Sequence, residues 1–155
     1  MTKAPIVIEN KRAYYDYEII EKFEAGLVLI GQEVKSIKSG RINLNASYVV
    51  FYHQPDSELY LIGANVPPYQ PKNAPRDYDE KRSRKLLLRK KEIRYLEGKS
   101  GQKGLTFIPL RVYTSNGKIK IEFALARGKK AYDKRDTLRK RDIKREIEGA
   151  LKDRG

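Results

Sequence analysis

Asp77, Asp79 and Glu80 place three carboxylates within four positions of one another. Carboxylates so spaced can hold Mg²⁺, and a bound Mg²⁺ can activate water against a phosphodiester, as in a nuclease. The cluster, however, follows a proline-led stretch and is interleaved with Arg76, Lys81 and Arg82, the composition of a solvated loop that neutralises its own charge. The single histidine, His53, stands beside a turn, and with no second histidine and no cysteine it cannot build a zinc site. It reads as an ordinary turn or surface residue. No GxxxxGK[ST] phosphate loop occurs. No catalytic residue, metal or cofactor is expected, and the chain reads as a non-enzyme.

Binding chemistry is far better represented. Between positions 72 and 91 lie nine Lys and Arg against three acids, and residues 128–155 carry eleven against six. The net charge over 155 residues is +14. Two basic blocks on such a background point to a polyanion, with nucleic acid ahead of an anionic membrane surface. Eleven tyrosines supply rings that could stack on bases, although most fall in strand-like runs where tyrosine is a cross-strand partner. Charge does not distinguish RNA from DNA. No apolar run is long enough to span a bilayer, the N-terminal residues lack the apolar segment of a signal peptide, and no cysteine suggests an oxidising compartment, so a cytoplasmic protein is expected.

The elements that must position these residues are mostly strands. Residues 12–30 predict strand with a turn at Ala25-Gly26, Tyr15, Tyr17, Ile19 and Glu21 sharing one face and Leu27 to Ile30 forming a short buried run. Ile30, Val34 and Ile37 predict a short helix through "GQEVKSIKS", ended by Gly40. "SYVVFYH" (47–53) and "ELYLIGANV" (58–66) predict two strands around a turn, and four prolines in 67–75 predict a loop. Residues 83–99 predict one helix, with Leu86, Arg89, Ile93 and Leu96 as its stripe, Ser83 as N-cap and Gly98 as stop. "LTFIPLRVYTS" places Ile108, Leu110 and Val112 on one face, with Pro109 at a bulge or edge. "KIKIEFALAR" alternates Ile119, Ile121, Phe123 and Leu125 against charges, and Asn116-Gly117 between the two runs is a hairpin signal. About six strands and two helices predict a mainly β, oligonucleotide-binding-like antiparallel barrel over 1–127.

Residues 128–155 stand outside that body. Ile143, Ile147, Ala150 and Leu151 have helical spacing, but Lys140/Lys144 and Arg141/Arg145 are like-charge i,i+4 pairs that each oppose an isolated helix by a few tenths of a kcal/mol. The tail is expected to be largely disordered when free and to become helical where a polyanion cancels the repulsion.

Four blocks in order, "IENKRAYYDYEIIEKFEAGLVLIGQEVKSIKSGRINLNASYV", "LIGANV", "RSRKLLLRKKEI" and "GKKAYDKR", resemble the SsrA-binding protein (small protein B, SmpB) family over about residues 6–135. The resemblance implies a bacterial RNA-binding adaptor of trans-translation with an oligonucleotide-binding barrel. Its partners would be the tRNA-like domain of transfer-messenger RNA (tmRNA), whose charging with alanine it promotes, and the stalled ribosome. Elongation factor Tu would take part indirectly, no membrane would be involved, and a monomer is expected. The tail would become helical in the empty mRNA channel, against small-subunit rRNA near the decoding centre.

Carried over motif by motif, Asn10 and Lys11 ("NK"), Glu24 ("FEAG"), Lys35 ("EVKS") and Arg84, Lys85, Leu86 and Leu87 ("RKLLL") match residues of the family's RNA-binding face. Lys129, Lys130, Tyr132, Asp133, Lys134 and Arg135 match the tail motif that engages the decoding region, with Tyr132 where members carry histidine. Glu24 on a basic face would accept from base amino groups or ribose hydroxyls or orient a lysine; otherwise it is a plain surface acid. Leu87 is either a contact or a core leucine. Two rival functions fit the composition: a structural ribosomal protein, and a metal-dependent nuclease built on Asp77 and Asp79.

Overall fold

The strands find partners far along the chain. A computed structural model of the protein describes residues 5–53 and 56–130 together with 134, 135, 138, 139, 141 and 145. Seven strands form one antiparallel sheet: β1 (Val7–Glu9), β2 (Tyr17–Leu27), β3 (Tyr48–Tyr52), β4 (Glu58–Ile62), β5 (Arg84–Leu87), β6 (Leu105–Ser115) and β7 (Lys118–Gly128). Their order is β1-β6-β3-β4-β5-β2-β7, and β6 also pairs with β7, so six strands close into a ring with β1 added at β6. Closure removes most free edges, and the architecture is consistent with an oligonucleotide-binding-like fold. Three short helices accompany it: α1 (Ala13–Asp16), α2 (Gly31–Lys38) and α3 (Lys90–Lys99).

The core fills the ring from the inward faces the alternation marks. Ile119, Ile121, Phe123 and Leu125 of β7 are all buried there with Leu59, Leu61, Leu86 and Val112. Asn116 and Gly117 both have positive φ (50° and 76°), the geometry of the tight hairpin that the Asn-Gly pair predicts. Gly40 follows α2 at φ 82°, as a left-handed stop. In β6 the register shifts between Pro109 and Arg111, so the predicted common face of Ile108, Leu110 and Val112 divides. Val112 stays in the ring core, whereas Ile108 and Leu110 join Ala13, Ala124 and Ala126 in a second cluster.

Three predictions change. The chain does not turn at Ala25-Gly26: β2 runs straight through, pairing Gly26 with both Leu87 and Lys120. Ala13–Asp16 form the helical turn α1 rather than strand, and Val28 and Ile30 are exposed. Residues 83–99 are not one helix. Arg84–Leu87 is a strand, α3 begins only after Arg89, and it runs through Gly98 to Lys99.

The reason for the strand is a buried ion pair. Arg84 and Glu33 both have fully buried side chains. Arg84 Nε donates to Glu33 Oε2 at 2.6 Å, and its other nitrogens donate to the Ala64 carbonyl at 2.8 Å and the Glu80 carbonyl at 3.0 Å. Glu33 Oε1 also accepts from the Ile30 N–H at 2.9 Å, which caps α2, and from Arg82 Nη2 at 2.5 Å. With Arg84 and Leu86 facing in, Lys85 and Leu87 must face out, a period of two that no helix satisfies.

Burial pushes the Glu33 carboxyl up, but the Arg82 hydrogen bond, the Ile30 N–H and the Arg84 charge together outweigh it and hold the group below its ordinary value. Its stabilising effect is therefore complete above the unfolded carboxylate value of about 4.3 and is lost as pH falls through the lower folded value. Glu33→Gln, which leaves Arg84 buried without its counter-charge, is expected to cost about 3–5 kcal/mol in urea unfolding at neutral pH. The variant should also lose part of the wild type's acid-side decline in stability.

Candidate nucleic-acid interface

Gly26 sits where three strands converge. Its register against Leu87 on one side and Lys120 on the other brings β2, β5 and β7 to one groove of about 580 Å³, lined by Glu24, Ala25, Gly26, Leu87, Leu88, Arg89, Glu92 and Lys120. A Cβ at Gly26 would lie 3.3 Å from the Leu87 Cβ, so the close approach suits glycine. Leu87 is 54% exposed at the groove's edge, whereas Leu86, one position earlier, is 2% exposed and belongs to the core.

The groove carries organised charge. Lys120 Nζ lies 2.9 Å from Glu24 Oε1. Glu24 stands directly opposite Glu122 across β2 and β7, a repulsive pairing. Each acid is answered by its own cation, since Arg111 Nη2 lies 3.4 Å from Glu122 Oε2. Tyr113 completes the group: the Arg111 guanidinium carbon lies 4.4 Å from its ring centre, and its phenol stands beside Glu24. The Tyr113 phenol first, and the Lys120 ammonium second, hold the Glu24 carboxyl below its usual range. Burial and the Glu24 carboxylate push the Tyr113 phenol up to about 12. At neutral pH the groove thus presents a fixed acceptor, an ammonium, a guanidinium and two leucine surfaces. That set can take a ribose hydroxyl or base amino group, phosphates, and an apolar face of the nucleotide.

The remaining residues expected at the interface distribute as follows. Lys35 is exposed on α2. Lys85 faces outward, 2.9 Å from Glu58, and lines a neighbouring groove with Leu87, Ile93 and Arg94. Arg84 and Leu86 are buried and serve as frame beneath the surface. Asn10 is also buried: its Nδ2 donates to the Pro109 carbonyl at 2.9 Å and its N–H to the Leu110 carbonyl at 2.8 Å, clamping the β6 bulge. Lys11 is exposed beside it.

A second cluster forms at the opposite end of β2, about 25–30 Å along the strand. Lys129 donates through its N–H to the Asp16 carbonyl at 2.8 Å and through Nζ to the Tyr14 carbonyl at 2.9 Å. Lys134 Nζ lies 3.4 Å from Asp16 Oδ1 and 5.7 Å from the Tyr15 ring centre. Burial pushes the Asp16 carboxyl up, yet hydrogen bonds from Arg12 and Lys134 overcome this and hold it low. Lys130 and Arg135 are exposed. Tyr132 and Asp133, and the tail beyond them that is expected to become helical, apart from Lys134, Arg135, Leu138, Arg139, Arg141 and Arg145, lie outside the described residues.

Asp77, Asp79 and Glu80 are exposed, and Asp79 Oδ1 accepts from the Lys81 N–H at 2.9 Å. Among the described residues no group of three or more His, Cys, Asp or Glu could hold a metal ion, and no helix is long and apolar enough to cross a membrane. His53 is exposed, stacked on Phe51 with ring centres 5.7 Å apart.

A closed antiparallel sheet of oligonucleotide-binding-like architecture thus carries a charged groove at one end of β2 and a basic cluster at the other. The chain belongs to the SmpB protein family, whose model matches residues 7–153. The SsrA-binding protein of Sulfurihydrogenibium sp. (strain YO3AOP1) is 50% identical over 147 residues, covering 95% of this chain and 94% of that one. That of Carboxydothermus hydrogenoformans is 49% identical over 149 residues, covering 96% and 97%. A solved chain described as "tmRNA-SmpB: a journey to the center of the bacterial ribosome" superposes with a TM-score of 0.64 at 48% identity, covering 81% of this chain and 85% of that chain.

Nothing in the sequence marks Lys120, Tyr113 or Arg111 as members of one group with Glu24. The outward alternation of Lys118, Lys120 and Glu122 was visible, but nothing local places Lys120 on Glu24, 96 positions away. Carboxyl-detected NMR titration should find Glu24 ionising below the ordinary value near 4.3. Tyr113→Phe should move it upward, and an unshifted Glu24 in that variant would remove the phenol from the network.

Proposed function

We propose that this protein is a non-catalytic RNA-binding adaptor of trans-translation: it binds the tRNA-like domain of tmRNA and brings that RNA to stalled ribosomes. The observation that carries this reading is membership of the SmpB family over 7–153, a span that contains both the groove and the basic C-terminal segment. The groove of Glu24, Leu87, Arg89 and Lys120 is the RNA-binding face, extended by Lys35 and Lys85. Arg84, Leu86 and Asn10 act as positioning residues that hold β5 and the β6 bulge. Lys129, Lys130, Tyr132, Asp133, Lys134 and Arg135 engage small-subunit rRNA near the decoding centre, and the residues beyond enter the vacant mRNA channel as a helix. The protein works as a cytoplasmic monomer, with elongation factor Tu acting on the RNA it carries.

Changing Lys35, Arg89 and Lys120 together to Ala should weaken binding to a transcript of the tRNA-like domain. It should also reduce the slope of log Kd against log salt by up to about 2 if three phosphates are contacted. An unchanged slope with an intact fold would place the interface elsewhere.

Truncation after Lys130 keeps all of β7 and the Lys129–Asp16 hydrogen bond. It should leave the melting temperature and the affinity for the tRNA-like domain nearly unchanged while abolishing peptide tagging on stalled ribosomes. Full tagging by the truncated protein would remove the channel-probe role.

A further inference from the structure

The proline-rich connection from β4 to β5 is fastened to α2 at two successive turns. Ser36 Oγ donates to the Pro67 carbonyl at 2.6 Å, and the Gln70 N–H donates to Gln32 Oε1 at 3.2 Å. Tyr69 lies between these anchors, 37% exposed. The Arg41 guanidinium carbon lies 6.0 Å from its ring centre. Lys35 and Lys38 of α2, Arg41 just beyond that helix, and Lys72 in the loop are all exposed. The function assigned to the groove uses none of these except Lys35.

An exposed aromatic ring is ordinarily a mobile surface feature. Here the backbone on both sides is tied down and a guanidinium lies over the ring, so little further conformational freedom is lost when a partner stacks on it. A fixed ring, a planar cation and flanking ammonium groups are the parts from which proteins build sites for unpaired nucleotides: the planes take the base and the lysines take phosphates. Only Val28 to Ile30 separate the end of β2, the strand that carries the groove, from α2. The loop is thus linked to the strand that carries the groove through one short helix and a three-residue connection.

We propose that Tyr69 and Arg41 form a stacking subsite for an unpaired base of the bound RNA, with Lys35, Lys38 and Lys72 contacting the adjoining phosphates. The proposal rests on the groove being an RNA-binding face and adds a base-stacking contact on the loop fastened to α2. A stack contributes affinity without counterion release, whereas the lysines contribute through it, and this separates the two in a salt titration.

The test measures Kd for a transcript of the tRNA-like domain of tmRNA across a salt series, with folding checked by circular dichroism. Tyr69→Ala should weaken binding by about five- to a hundredfold, the range of one base–aromatic stack, and leave the salt slope unchanged. Tyr69→Phe and Tyr69→Trp should restore it, because each keeps a ring. Glu24→Ala serves as the control for the groove. Unchanged binding by Tyr69→Ala beside weakened binding by Glu24→Ala overturns the subsite and leaves the groove standing. Unchanged binding by both overturns the two together. A second readout needs no variant: ultraviolet cross-linking of the wild-type protein to the same transcript carrying 4-thiouridine should give an adduct on the peptide that contains Tyr69. Adducts confined to other peptides would overturn the subsite.

Discussion

The buried contact between Glu33 and Arg84 fixes the relation of α2 to β5, and the groove is assembled on that relation. β5 is short, with two residue pairs to β4 and two to β2, and the ring closes through it. So few ladder bonds hold a strand weakly, and an arginine whose three guanidinium nitrogens all donate, to Glu33 and to two carbonyls, supplies what the ladder lacks. Charges removed from water are expensive, and such a pair is retained most readily where it selects one arrangement over others. Here it selects strand over helix for residues 84–87, and it also sets which side chains of "RKLL" face outward.

That alternation divides the labour within one short motif. Arg84 and Leu86 hold the ring from within, while Lys85 and Leu87 stand on its surface. Leu87 then meets Gly26 at a distance that leaves no room for a larger residue without movement, and Gly26 aligns Lys120 from the other side. A groove whose walls come from β2, β5 and β7 is therefore a consequence of the register, and the register depends on a charge pair that never touches solvent. At the other end of β2, Asp16 gathers Lys129 and Lys134 against α1, so a single long strand separates the groove from the start of the basic segment.

Much of this was legible in the chain. The inward residues of β7, the Asn-Gly hairpin, the helix before Gly40 and the bulge at Pro109 each follow from local rules of periodicity or turn chemistry, and each is present. Two of the exceptions share one cause, which is that their partners are distant. "KLLL" supports a helix or a strand equally by periodicity, and only Glu33, 51 positions away, decides between them. Gly26 resembles a turn residue because glycine usually is one; its role here is close approach to Leu87, 61 positions on. Of the residues expected at an interface, Glu24 and Leu87 lie together in the groove. Arg84 and Leu86 share the motif but lie beneath it, and Lys120 needed the β2–β7 register to be seen at all.

We propose that this surface is made for one structured RNA rather than for nucleic acid in general. The most direct measurement is to purify the protein from growing bacteria after ultraviolet cross-linking and to sequence the RNA covalently attached to it. tmRNA should dominate the recovered reads, with its cross-links gathered in the tRNA-like domain and a smaller share in small-subunit rRNA. A recovered population of ribosomal or messenger RNA without enrichment of tmRNA would contradict the account.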